Sequence, residues 1–184
     1  VSFSECSLVV FMIYFPTYAI KRGFSESASY SLITVMNTTG ILGRYIPGYI
    51  ADKWLGRFNV MVLTLSGCVI ASLCILLPFG GNHAALFVFA AVYGFLSGSV
   101  LSLAPVCCGQ ISKTEEFGKR YSTMYVLTSL TVLAIIPLGG AIVGKGDIRN
   151  YNNFIIFSSM MLLIGAASYF ISKSAVVGIR LSKF

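Results

Sequence analysis

The chain has 184 residues, 57% hydrophobic and only 10% charged, with a net charge of +7 and a mean hydropathy of +0.85. Soluble domains carry about 25% charged residues because a solvated surface must wrap the core, so a water-facing globule is excluded. No soluble basic face exists for nucleic acid, and the five cysteines (Cys6, Cys68, Cys74, Cys107, Cys108) show neither metal-ligand spacing nor an even disulfide count.

In chain order, the first apolar run is Cys6–Ile20, which with Val1–Glu5 makes a plausible membrane helix. The chain opens on valine, and this run lacks a basic start and a small-residue cleavage site. It is therefore not read as a signal peptide; the expectation is a piece of a longer chain. A second run, Ser27–Gly43, is uncharged and continues past Arg44. Between Arg57 and Lys113 there is no Lys, Arg, Asp or Glu, and the stretch breaks at the turn-like Pro78-Phe79-Gly80-Gly81-Asn82-His83. Each half is about 20 residues, the length that crosses roughly 30 Å of hydrocarbon at 1.5 Å per residue. Tyr121–Gly144 and Asn150–Ser172 are also uncharged. Six spans follow, near 1–20, 28–50, 59–78, 84–108, 121–144 and 153–172, with a cytoplasmic tail at 173–184. Barrel strands are excluded, since they are about 10 residues long with strict polar alternation.

Six spans put both termini on one side with the 51–58 and 109–120 loops. That side carries Lys53, Arg57, Lys113, Lys119, Arg120, Lys173, Arg180 and Lys183, against Lys21, Arg22, Lys145 and Arg149 opposite. The positive-inside tendency makes the first side cytoplasmic. The prolines repeat: Pro16 to Pro47 is 31 residues, and Pro105 to Pro137 is 32. Two three-helix units, roughly 1–78 and 84–172, then enter from opposite sides as an inverted 3+3 repeat. Gly94/Gly98 and Gly140/Gly144 are each four apart, a spacing that lets helix backbones approach closely.

The strongest local signal joins spans two and three: Gly48-x-x-Ala51-Asp52-Lys53-x-x-Gly56-Arg57. It resembles the loop motif of the major facilitator superfamily, with one residue more than the common form between the basic residue and the second glycine. The resemblance implies helices seven to twelve of a twelve-helix fold, and a missing N-terminal six-helix half (or a second copy) as partner. Glycines permit the turn, and Asp52 among Lys53 and Arg57 is suited to a charge-assisted latch on the cytoplasmic side; the alternative is plain topogenic charge.

Arg44-Tyr45-Ile46-Pro47-Gly48, Gly56-Arg57-Phe58-Asn59 and Gly109–Tyr121 are similar to fungal monocarboxylate-transporter-like permeases. That family implies alternating-access transport of a small organic solute, a monocarboxylate-like anion or, in some members, riboflavin, with no cofactor and no enzymatic step. It implies the plasma membrane first and the vacuolar membrane second. It also identifies Arg44 with the helix-eight arginine regarded as a carboxylate partner. The acid found one turn before that arginine in the animal proteins is here Gly40.

Independently of resemblance, Arg44 lies eight residues before Asp52, about 12 Å into the membrane at helical rise. There it faces a cavity or partner, or snorkels to the interface. Asn37 lies seven residues earlier on nearly the same face, as a substrate donor or as helix glue. Tyr14, Tyr18 and Tyr93 are candidate cavity residues or interface anchors. Glu5 is either a buried proton carrier or a flank. Asn37-Thr38-Thr39 matches a glycosylation sequon but sits inside span two. Gly94-Phe95-Leu96-Ser97-Gly98 superficially resembles an intramembrane serine protease site, yet the only histidine, His83, is in a loop and no base is placed to activate Ser97. A channel would show a charged ring or filter.

Overall fold

The computed structural model describes residues 1–144 and 146–177, without the side chains of 111 and 175–177. The described residues form six long helices. α1 is Ser2–Lys21, α2 is Glu26–Ile50, α3 runs over Arg57–Phe79 with one widened turn, α4 is His83–Ile111, α5 is Phe117–Val143 and α6 is Ile148–Val177. α6 thus continues past 172 into the expected tail, and Lys173 is buried against the bundle. The remainder of that tail, 178–184, lies outside the described residues, as does Lys145.

Starts and stops follow local chemistry. Ser25 caps α2 by accepting from the Ala28 N–H at 3.2 Å, and Asn82 caps α4 by accepting from the Ala84 N–H at 3.0 Å. In α3, Pro78 has no N–H to give Cys74, and its ring would press on that carbonyl. The turn just before it, Ser72–Leu76, is widened to i→i+5 bonding, which relieves the clash without breaking the helix.

Five helices, α1, α3, α4, α5 and α6, are long and apolar enough to cross a membrane. α2 has the length but not the hydropathy, because one side of it carries Ser27, Tyr30, Ser31, Thr34, Asn37, Thr38 and Arg44.

The packed pairs are α2 with α4, α1 with α5, α3 with α4, α1 with α6, and α3 with α6. Exchanging α1-α2-α3 for α4-α5-α6 swaps α2–α4 with α1–α5 and α3–α4 with α1–α6 and returns α3–α6 to itself, the pattern an inverted three-helix repeat requires. The core is aromatic. Phe11 meets Tyr93 at 4.6 Å and Phe15 meets Phe89 at 5.5 Å between ring centroids, all four buried. The tightest pair, α2–α4, is made by glycines. A Cβ on Gly43 would overlap the Phe95 carbonyl, one on Gly94 would overlap Met36, and one on Gly98 would overlap Gly40. Lipid offers no hydrophobic drive between helices, so this close approach is the source of cohesion.

The helix ends sort into two layers. Phe24 stacks on His83 at 3.9 Å and Tyr18 meets Tyr151 at 5.6 Å at one end. Lys173 reaches Asn59 at 2.6 Å, and Phe58, Ser112, Arg120 and Ser172 share a cavity, at the other, here the motif end.

Candidate functional site

α2 packs through Ser29, Leu32, Met36, Gly40, Gly43 and Pro47. These repeat at three and four residues and occupy one stripe of the helix. The flank beside that stripe carries Asn37 and Arg44, both exposed. Arg44 has no hydrogen-bond or ion-pair partner among the described residues. Further round, Tyr30, Thr34, Thr38, Tyr45 and Tyr49 are exposed too. The result is a polar, aromatic face at membrane depth that this bundle does not cover. A face of that kind is costly against lipid and suits a water-filled path or a protein partner.

The other candidates are placed differently. Tyr93 is fully buried among Phe11 and Phe89, and its hydroxyl has no partner. Tyr18 is buried at the end opposite the motif, where its hydroxyl accepts from Arg22 Nε at 3.1 Å. Tyr14 lies between α1 and α5 and donates to the Ile136 carbonyl at 3.0 Å, beside Pro137. The fold therefore brings Arg44 and Asn37 onto one open face and sets the three tyrosines inside the bundle.

The loop motif forms a compact turn. Gly56 N–H donates to the Ala51 carbonyl at 2.9 Å, an i→i+5 bond that wraps one residue more than an α-turn. The extra residue of this motif is accommodated there. Gly56 has φ of 79°, open to glycine and strained for other residues, and it reverses the chain into α3. Arg57 Nε donates to Asp52 Oδ1 at 2.8 Å, tying the end of α2 to the start of α3. Lys53 does not join that pair. It donates to the Tyr49 hydroxyl at 3.0 Å and lies over the Tyr49 and Trp54 rings. Gly48 faces open space.

Three features escape a reading of residue order alone. Buried Lys173 donates to Asn59 Oδ1, and Asn59 Nδ2 donates to the Leu55 carbonyl at 2.6 Å, so α6 is fastened to the motif turn. Ser7 and Ser158 join α1 to α6 at 2.7 Å. Glu5 is buried and accepts from the Tyr125 hydroxyl at 3.0 Å. Each pair is more than 100 residues apart in sequence, and only a lone polar residue near an apolar run marked it. Ser97 gives its hydroxyl to the Gly94 carbonyl of its own helix at 3.2 Å, a structural bond. His83 caps the opposite end against Phe24.

Comparison with known proteins agrees with this architecture. The Major Facilitator Superfamily model matches residues 1–180. The chain is 46% identical over 182 residues to the riboflavin transporter MCH5 of Saccharomyces cerevisiae, covering 99% of this chain and 35% of that protein. It is 39% identical over 152 residues to the MFS-type transporter opdF of Penicillium oxalicum, covering 83% and 35%. An MFS-type transporter of Gibberella moniliformis is 34% identical over 173 residues, covering 94% and 40%. The chain thus spans 35–40% of the length of these relatives. With six helices in swapped-repeat pairing, the loop motif between α2 and α3, and a family match over nearly its whole length, the chain belongs to the major facilitator superfamily.

Proposed function

We propose that this chain is the C-terminal six-helix half of a secondary transporter that moves a small organic solute by alternating access. Its partner is a second six-helix half, encoded in the same gene or supplied by a second copy. The open faces of α2 and α5 meet that partner, and the solute passes along the α2 flank bearing Arg44 and Asn37. The observation that carries the reading is Arg44: exposed, unpartnered among the described residues, and about 12 Å along the helix from the motif turn. A fixed cation at that depth is retained for a ligand or a counter-charge across the path. The motif turn is the cytoplasmic gate, with Asp52 held by Arg57 and its second oxygen free for the partner half.

For the solute, one structural feature favours the riboflavin-type reading over a monocarboxylate coupled to a proton through an acid beside Arg44. Gly40 stands where that acid would be, and its backbone lies against Gly98, with a Cβ there meeting the Gly94 carbonyl at 3.3 Å. Arg44 therefore acts without an acid one turn away. Tyr45 and Tyr49, exposed one turn apart on the flank next to Arg44, suit a planar heteroaromatic solute, and the relative named as a riboflavin transporter is 46% identical.

The test is uptake of labelled riboflavin and labelled lactate by vesicles holding the whole gene product, beside an Arg44→Ala variant. Riboflavin uptake that falls at least tenfold in the variant is expected. Uptake of neither solute, or uptake indifferent to Arg44, contradicts the proposal. Orientation has its own test: protease added outside intact cells should leave the motif end uncut.

A further inference from the structure

The two contacts related by the repeat are built from different materials. α2 meets α4 through glycine backbones, leaving no space to adjust. α1 meets α5 through a ladder of side-chain bonds. Ser2 and Thr128 hydroxyls lie 2.9 Å apart, Cys6 Sγ donates to the Thr128 carbonyl at 3.9 Å, Tyr125 donates to Glu5 Oε1 at 3.0 Å, and Tyr14 donates to the Ile136 carbonyl at 3.0 Å. α5 is also the least covered of the apolar helices, with 22% of its apolar window buried against 50% or more in the other four. One contact is rigid and the other is adjustable.

The adjustable contact contains the one buried carboxyl among the described residues, Glu5, at 5% exposure. From α5 it faces Tyr125, with Tyr121 beside that ring at 4.6 Å, and from α6 it faces Tyr169; its own helix adds Cys6. No ion pair reaches it among the described residues. Arg57 is held by Asp52, Arg120 by Glu116 and Lys173 by Asn59. A buried carboxylate whose one side-chain donor is a neutral phenol is expensive to keep ionised. Alongside, a cavity of about 310 Å³ opens at the motif end, lined by Arg120, Ser112, Cys108, Ser172 and Tyr169. The Tyr169 hydroxyl is buried with no partner, and it links this cavity to the surroundings of Glu5.

We propose that Glu5 is a proton-binding site whose occupancy sets the α1–α5 contact. With the proton on Oε2, Oε1 keeps the bond from Tyr125 and the ladder closes dry. When the proton leaves toward the cavity, the carboxylate draws water past Tyr169 and the ladder loosens, while α2–α4 stays fixed. The site itself stands on burial and geometry; only its use in pumping or gating rests on the transporter reading.

The experiment is infrared difference spectroscopy of the whole gene product in lipid, titrated between acid and alkaline buffer. A protonated-carboxyl C=O band is expected that disappears in Glu5→Gln. In Tyr125→Phe the band remains and its midpoint moves up by about one pH unit, a tenfold change in proton affinity. In parallel, Glu5→Gln should flatten the pH profile of solute uptake. A band unchanged in Glu5→Gln, a midpoint unmoved in Tyr125→Phe, or an uptake profile identical to the parent overturns the proposal. Should Glu5→Gln fail to fold, the Tyr125→Phe midpoint decides. Should no solute be taken up at all, the transporter reading fails while the band still tests the proton site.

Discussion

Gly40 of α2 and Gly98 of α4 meet backbone to backbone, so a Cβ on Gly98 would overlap the Gly40 carbonyl and neighbouring backbone atoms. Gly43 is held as tightly against Phe95, one turn along. Backbone cannot retreat as a flexible side chain can, so any added carbon must push the helices apart.

Alanine at Gly43 or Gly98 should therefore destabilise by about 1–3 kcal/mol, the usual cost of overpacking. Thermal unfolding in detergent checks this, with Gly48→Ala as the comparison. Gly48 sits in the same helix with nothing within 4 Å of its added carbon. Alanine there should be neutral or slightly stabilising, because it gains helix propensity. Equal losses at Gly43 and Gly48 would contradict the packing account.

Asp52 and Arg57 bond at 2.8 Å, but the aspartate is more than half exposed. Exposed pairs contribute about 0–1 kcal/mol, so Asp52→Asn should barely move the unfolding temperature. If the turn is the gate proposed above, uptake rate should nonetheless fall in this variant. Stability and uptake measured on one preparation separate the two effects.

Lys173 presents the opposite case. Its amine is buried and held by Asn59, and Asn59 is in turn fastened to Leu55. Lys173→Met keeps the stem but strands Asn59 Oδ1, at a cost of about 1–3 kcal/mol. Replacing Asn59 as well, in Asn59→Leu with Lys173→Met, should recover part of that loss. A double variant as unstable as the sum of the two singles would show that the pair does not act as a unit.

Gly56 tests the turn itself. At φ of 79°, alanine costs about 1–2 kcal/mol. Deleting Leu55 would return the motif to its common spacing, and the widened turn should then close to an ordinary helical one. Amide exchange at Gly56 reads that change directly.

Helix positions were legible because uncharged runs of membrane length between charged loops leave few alternatives. The long run from Phe58 to Ser112 divided where Pro78, Gly80 and Gly81 stand, and the helices do break at 80–82. α2 was legible as a helix only through its length. Its polar flank lowers the very hydropathy that marks the others, and that flank is what makes it a candidate path.

Side-chain direction was less legible. Arg44 and Asn37 share a face by simple helical periodicity, and that face is open. For Tyr14, Tyr18 and Tyr93, spacing fixes the helix but not which neighbour covers it. Tyr93 is covered by α1 through Phe11, a partner 82 positions away that periodicity within α4 cannot reveal. Glu5 had two readings in the sequence, since burial at a helix end depends on whether α5 lies across it. The bond from Tyr125 places it inside the bundle.

Thiol labelling reads directly whether the α2 flank lines the solute path. Asn37→Cys and Thr34→Cys should react with a membrane-impermeant reagent in the whole gene product, and added riboflavin should slow them. Ile70→Cys, on the exposed apolar side of α3, should stay unreactive. If Asn37→Cys is as inert as Ile70→Cys, or reacts at the same rate with and without solute, the path does not run along this face.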